Sequence, residues 1–164
     1  MFRKIVIFLV VLNFCSTQNC TFQLSKITAN WNLENSGSSL KINFTNSYLE
    51  NDHWTAVAFG KSMQDLSVII FENNNYQISV RTGITTGYGP PTLDANSQVT
   101  QSQISYSGFV LNAVVSIPTQ KFNGFDLTDC QTWNFVESGP IRNGRIARHT
   151  YAPTSVDNVC PKTC

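Results

Sequence analysis

Two histidines, His53 and His149, in a chain of 164 residues rule out a three-histidine metal centre. No G-x-S-x-G sequence supplies a nucleophile elbow, and the glycines of "TGYGPP" precede no helix that could receive a phosphate. Charged side chains make up only 13% of the sequence, and the acids are scattered singly, so no spacing points to a carboxylate pair for glycoside chemistry. Hydrolytic chemistry has no positive support, and the chain is read as a non-enzyme. No window carries a capped 3.6-residue apolar period, which leaves helices without a signal.

Long apolar runs are also missing, with one exception at the start. Arg3 and Lys4 precede "IVIFLVVLNF" (5–14), and small residues follow at Cys15, Ser16 and Thr17. A basic start, a short apolar stretch and a small-residue site read as a secretory signal over 1–17. The run is shorter than the roughly 20 apolar residues that a membrane anchor needs. A secreted, extracellular protein without membrane insertion follows, with residues 18–164 as a single domain and a short cysteine-containing C-terminal tail. Losing Arg3 and Lys4 takes the eleven basic residues to nine against ten acids. That near-neutral balance offers nothing to nucleic acid.

Cys15 leaves with the leader, so Cys20, Cys130, Cys160 and Cys164 remain, an even number suited to two disulfides in an oxidising compartment. Four cysteines allow three pairings. The one favoured here ties Cys20 and Cys130 each to one member of the C-terminal pair. The C-x-x-x-C at 160–164 lacks the partners of a zinc site. Of two glycosylation sequons, "NFT" at Asn43 is the better placed, because "NCT" at Asn19 abuts Cys20.

What is abundant is β pattern. Leu40, Ile42 and Phe44 alternate with Lys41, Asn43 and Thr45. Tyr76, Ile78 and Val80 alternate with Gln77, Ser79 and Arg81, and Phe109, Leu111, Ala113, Val115 and Ile117 share a face. Trp133 and Phe135 lie on one side of "QTWNFV". "NSGS" (35–38), "NNN" (73–75) and "SG" (107–108) punctuate these runs as turns. Eight to ten short strands, all-β, in an antiparallel sandwich are expected. The stretch 82–97 reads as one long irregular loop, of a length that is usually functional.

Met63 is the only methionine outside the initiator. It sits in a polar stretch with Lys61, Ser62, Gln64 and Asp65 rather than among valines and leucines. Alone, Met63 reads as an adaptable core filler and His149 as a structural histidine. Together, a thioether and an imidazole can hold the two axial faces of a haem iron, a pairing that raises the potential. Arg145 and Arg148, near His149, could pair with haem propionates. Trp31, Trp54 and Trp133 could stack on a sugar ring, although an indole within a strand is more often core, and Tyr88 is the better exposed candidate.

Three blocks in order carry a family resemblance: "HWTAVAFGKSMQDLSVIIF" (53–71), "PPTLD" (90–94) and "DLTDCQTWNFVESGPIRNGRIARHTYAP" (126–153). The stretch from about 27 to 153 resembles a DOMON domain, the module named for dopamine β-monooxygenase and found in the cytochrome part of cellobiose dehydrogenase. The resemblance implies an immunoglobulin-like β-sandwich. It also implies b-type haem held by Met63 and His149, with His53 as a competing imidazole. An extracellular redox or haem-carrying module follows, and its electron partner, extracellular or membrane-bound, is a separate molecule. The alternatives are a carbohydrate-binding module using Tyr88 and Trp54, or an interaction domain without ligand. Cleft geometry separates them, because one iron cannot bridge groups at opposite ends of the sandwich.

Overall fold

The computed structural model describes residues 20–164, so the expectations for the 1–17 leader, for Cys15 and for Asn19 fall outside the described residues. Among the described residues twelve strands occur in chain order: β1 (Thr21–Gln23), β2 (Ile27–Glu34), β3 (Ser39–Asn46), β4 (His53–Phe59), β5 (Leu66–Asn74), β6 (Gln77–Thr85), β7 (Thr92–Leu93), β8 (Gln101–Ser107), β9 (Val110–Pro118), β10 (Gln131–Arg142), β11 (Arg145–Ile146) and β12 (Thr154–Val159). Five of them form one sheet in the order β1-β2-β3-β9-β8, and seven form the other, β11-β10-β4-β5-β6-β7 with β12 also on β10. The strand pairs are antiparallel, and the all-β sandwich expected from the alternation is the fold observed.

The period-2 pattern does the sorting. Leu40, Ile42 and Phe44 of β3 and Leu111, Ala113, Val115 and Ile117 of β9 all face the space between the sheets. Val57 and Phe59, Ile69 and Phe71, and Trp133 and Phe135 meet them from the other sheet. Aromatic rings bridge the layers, with Phe44 on Phe71 at 5.0 Å and Trp31 on Trp133 at 4.6 Å. Two disulfides lie at the chain ends, Cys20–Cys164 and Cys130–Cys160, the favoured pairing. The first joins residues 144 positions apart in sequence.

Three expectations need correction. Tyr76 does not share a strand face with Ile78 and Val80: Asn75 and Tyr76 take positive φ (51° and 61°) as the turn between β5 and β6, and Tyr76 is 72% exposed. Phe109 is not on the inner face with Leu111. Gly108 and Phe109 both take positive φ (57° and 69°) as the two-residue turn between β8 and β9, and Phe109 is left 46% exposed against Tyr48. The stretch 82–97 is not one loop. Its start is the end of β6, and β7 folds back onto it through Gly83↔Leu93 and Ile84↔Thr92. Asp94 makes that return possible. Its Oδ2 accepts from Thr82 Oγ1 at 2.5 Å, from Gln98 Nε2 at 3.0 Å and from Asn123 Nδ2 at 3.2 Å.

Gly83 is required by the same return, because a Cβ there would run into the Thr92 carbonyl oxygen. Gly83→Ala should therefore push β7 off β6 and cost about 1–3 kcal/mol of stability through overpacking strain, read as a lower midpoint of urea unfolding. A midpoint equal to that of the parent would show that β7 can move aside freely.

Candidate functional site

The sandwich carries a second apolar cluster, outside the space between the sheets. Trp54, Ala56, Ala58, Leu66, Val68, Ile70, Val136 and Ile146 are all buried, yet they lie on the outer face of the seven-stranded sheet. Along β4 and β5 successive residues alternate between the two clusters, Ala56 and Ala58 outward against Val57 and Phe59 inward. Both faces of these strands are apolar, a pattern usual for strands covered on both sides.

What covers the outer face is loop. A cavity of about 710 Å³ stands over Ala56, Ala58, Val68, Ile70 and Val136, within the range of ligand sites. Three segments wall it. Lys61, Ser62 and Met63 come from the β4–β5 turn, Tyr88 to Pro91 from the β6–β7 loop, and Ala147, Arg148 and His149 from the chain leaving β11. Met63 and His149 therefore line one cavity, from different walls. The site is on the outside of one sheet rather than at an open end of the sandwich.

Several polar side chains of the lining are already satisfied. Asn134 donates to the Gly60 carbonyl at 2.9 Å and accepts from Ser155 at 2.6 Å. Thr85 accepts from the Leu66 amide at 3.0 Å, and the Trp54 indole N–H donates to the Ala147 carbonyl at 3.1 Å. The Met63 sulfur, the His149 imidazole, the Tyr88 hydroxyl and the cations Lys61 and Arg148 remain without a partner among the described residues. Among the described residues, no aspartate or glutamate lines the cavity. The surface thus offers a soft thioether, an imidazole and two positive charges around an apolar floor.

Other candidates lie elsewhere. His53 is outside the cavity lining, its Nδ1 3.0 Å from the Asn51 carbonyl and its Nε2 3.6 Å from Glu50. Arg145 is exposed on β11 and does not reach the lining, whereas Arg148 does. Trp31 and Trp133 are packed between the sheets, and only Trp54 of the three indoles faces the cavity. Tyr88 is at the rim, 86% exposed. Asn43 is on the outer face of the opposite sheet, half-buried and donating to Asn30 Oδ1 at 2.5 Å. Lys61 was missed by sequence reasoning, although its place two residues before Met63 was the available signal.

Among the described residues, no group of three or more His, Cys, Asp or Glu could hold a metal ion, and no helix is long and apolar enough to cross a membrane. By build, this is an antiparallel β-sandwich with a ligand-sized apolar cavity laid over one outer sheet face. Residues 23–139 match the DOMON domain, and the chain belongs to the DOMON domain family. A DOMON domain-containing protein of Caenorhabditis elegans is 36% identical over 171 aligned positions, covering 100% of this chain and 99% of that protein. One from Caenorhabditis briggsae is 32% identical with the same coverage. Among solved structures, the cytochrome domain of Myriococcum thermophilum cellobiose dehydrogenase superposes with a TM-score of 0.59 at 10% identity, over 84% of this chain and 76% of that domain. The cytochrome b domain of pyranose dehydrogenase from Coprinopsis cinerea gives 0.54 at 12% identity, over 84% and 78%. At such identities the likeness is one of fold.

Proposed function

We propose that the chain is a secreted b-type haem-binding module that carries electrons or haem, with Met63 and His149 as the axial ligands. One observation carries this reading: the thioether and the imidazole line the same apolar cavity, from different walls. The residues fit the group. Small Ala56 and Ala58 leave room over the floor for a flat body, and Leu66, Val68, Ile70 and Val136 offer the apolar contact a macrocycle needs. Lys61 and Arg148 would pair with the two propionates. The haem would supply one-electron chemistry, and a Met/His pair favours its reduced form.

The protein's own work is binding and exclusion. The 86–91 loop and the 147–153 segment cover the site, and the absence of carboxylates from the lining spares an anionic ligand from repulsion. Two disulfides suit an oxidising extracellular compartment. A glycan on Asn43 would stand on the other sheet, clear of the cavity. A separate extracellular or membrane-bound redox partner would exchange electrons with the module, which catalyses no turnover itself.

The test is the visible spectrum of the protein produced with ample haem, before and after dithionite. A sharp Soret band with narrow α and β bands on reduction is expected. A spectrum that stays featureless through haem titration would refute the reading. The same cavity would then pass to a sugar-binding role, favoured by the exposed Tyr88 ring at its rim.

A further inference from the structure

We infer that Trp54 is a positioning residue for His149, acting through the Ala147 carbonyl, and that Gly139 is a glycine so that the indole can do so. The inference rests on the haem reading for its consequence but not for its geometry. His149 belongs to no strand. It lies in a segment leaving β11, and backbone that irregular holds an imidazole only if it is tied down on both sides.

Three bonds tie it. The Ala147 amide donates to the Pro140 carbonyl at 3.0 Å, and the Thr150 amide donates to the Ser138 carbonyl at 2.7 Å. Between them, the Trp54 indole N–H donates to the Ala147 carbonyl at 3.1 Å. His149 therefore hangs between one anchor two residues before it and another one residue after it. Both backbone acceptors come from the same irregular part of β10. The pairing of β10 with β4 slips by one residue between Val136 and Gly139, and the slip makes a bulge. Asn46 pins that bulge from the opposite sheet by donating to the Glu137 carbonyl at 2.8 Å.

Trp54 fits this cradle and little else would. It is 7% exposed, and its ring lies so close to Gly139 that a Cβ there would overlap the indole. The glycine thus seats the ring, and the seated ring aims its N–H at Ala147. A phenylalanine at 54 would keep the apolar floor but lose the donor. The loss frees one side of the segment that carries His149.

The experiment uses Trp54→Phe with two readouts. In the haem-free protein, amide hydrogen exchange is followed residue by residue. Exchange at Ala147 and Thr150, the two bonded amides of the segment, should rise roughly fivefold, as removal of one net hydrogen bond implies, while the β4–β5 ladder amides stay unchanged. Uniform acceleration across both regions would make Trp54 an ordinary packing residue and overturn the inference, as would no change at all. In the haem-loaded protein, haem should pass to an excess of apomyoglobin roughly fivefold faster in the variant. Equal transfer rates in the two proteins would refute a role in holding the ligand. If the parent protein takes up no haem, the functional reading fails while the exchange result still decides the positioning claim.

Discussion

Leucine in place of Met63 is expected to leave the sandwich folded and to abolish the narrow-banded spectrum of the haem-loaded protein. The side chain sits in the β4–β5 turn, half-buried, packed on the edge of the outer-face cluster. Leucine has nearly the same volume, and such swaps cost less than about 1.5 kcal/mol. The circular dichroism melt should therefore move little. What leucine cannot do is donate a sulfur lone pair. The iron would keep one protein ligand and lose the soft one, so the Soret band should shift and the α and β bands broaden. The midpoint potential should fall as well, since the thioether favours the reduced state. An unchanged spectrum in Met63→Leu would remove Met63 from the site, whatever haem the protein held.

The largest loss of stability is expected from Trp133→Ala. Trp133 is fully buried, 4.6 Å from the Trp31 ring and 4.9 Å from Phe59, with Phe135 beside it. It joins β2 of one sheet to β4 and β10 of the other, and truncation would leave a void that strands in register cannot close. Losses of about 3–5 kcal/mol are usual for such a change, against a total of about 5–15 kcal/mol for a domain. The midpoint of urea unfolding should fall accordingly. The indole N–H has no hydrogen-bond partner among the described residues, so the effect is one of packing. Trp133→Phe, which also removes that unpaired donor, should cost far less. An alanine variant within about 1 kcal/mol of the parent would mean that the sheets do not depend on this ring.

The strands were legible because one physical rule, alternation between core and solvent, governs most of them. β3 and β9 could each be assigned from their apolar period alone, and Leu40, Ile42 and Phe44 of the one and Leu111, Ala113, Val115 and Ile117 of the other face inward as expected. The rule failed where backbone geometry took over. Phe109 continues the apolar period in sequence, but a two-residue turn claims it. The 82–97 stretch looked irregular because its order comes from the Asp94 side chain, which no periodicity reveals.

The candidate site was half legible. Met63 and His149 could be paired on chemistry, and they do line one cavity. Its place on the outer face could have been suspected from "TAVAF" and "SVIIF", strands apolar at every other position on both sides. The bulge in β10, the seat at Gly139 and the indole hydrogen bond are long-range matters between residues about ninety positions apart, and no local pattern encodes them.

The doubly apolar β4 and β5 also make the seven-stranded sheet the middle of an architecture with two full layers and a partial third. Any flat apolar body seated over Ala56 and Ala58 completes that third layer. Its binding energy then becomes part of the folding energy, so the melting temperature should climb with the concentration of the occupant. Filling the cavity should therefore make solutions of this protein more heat-resistant, a property that reports occupancy without any reference to colour.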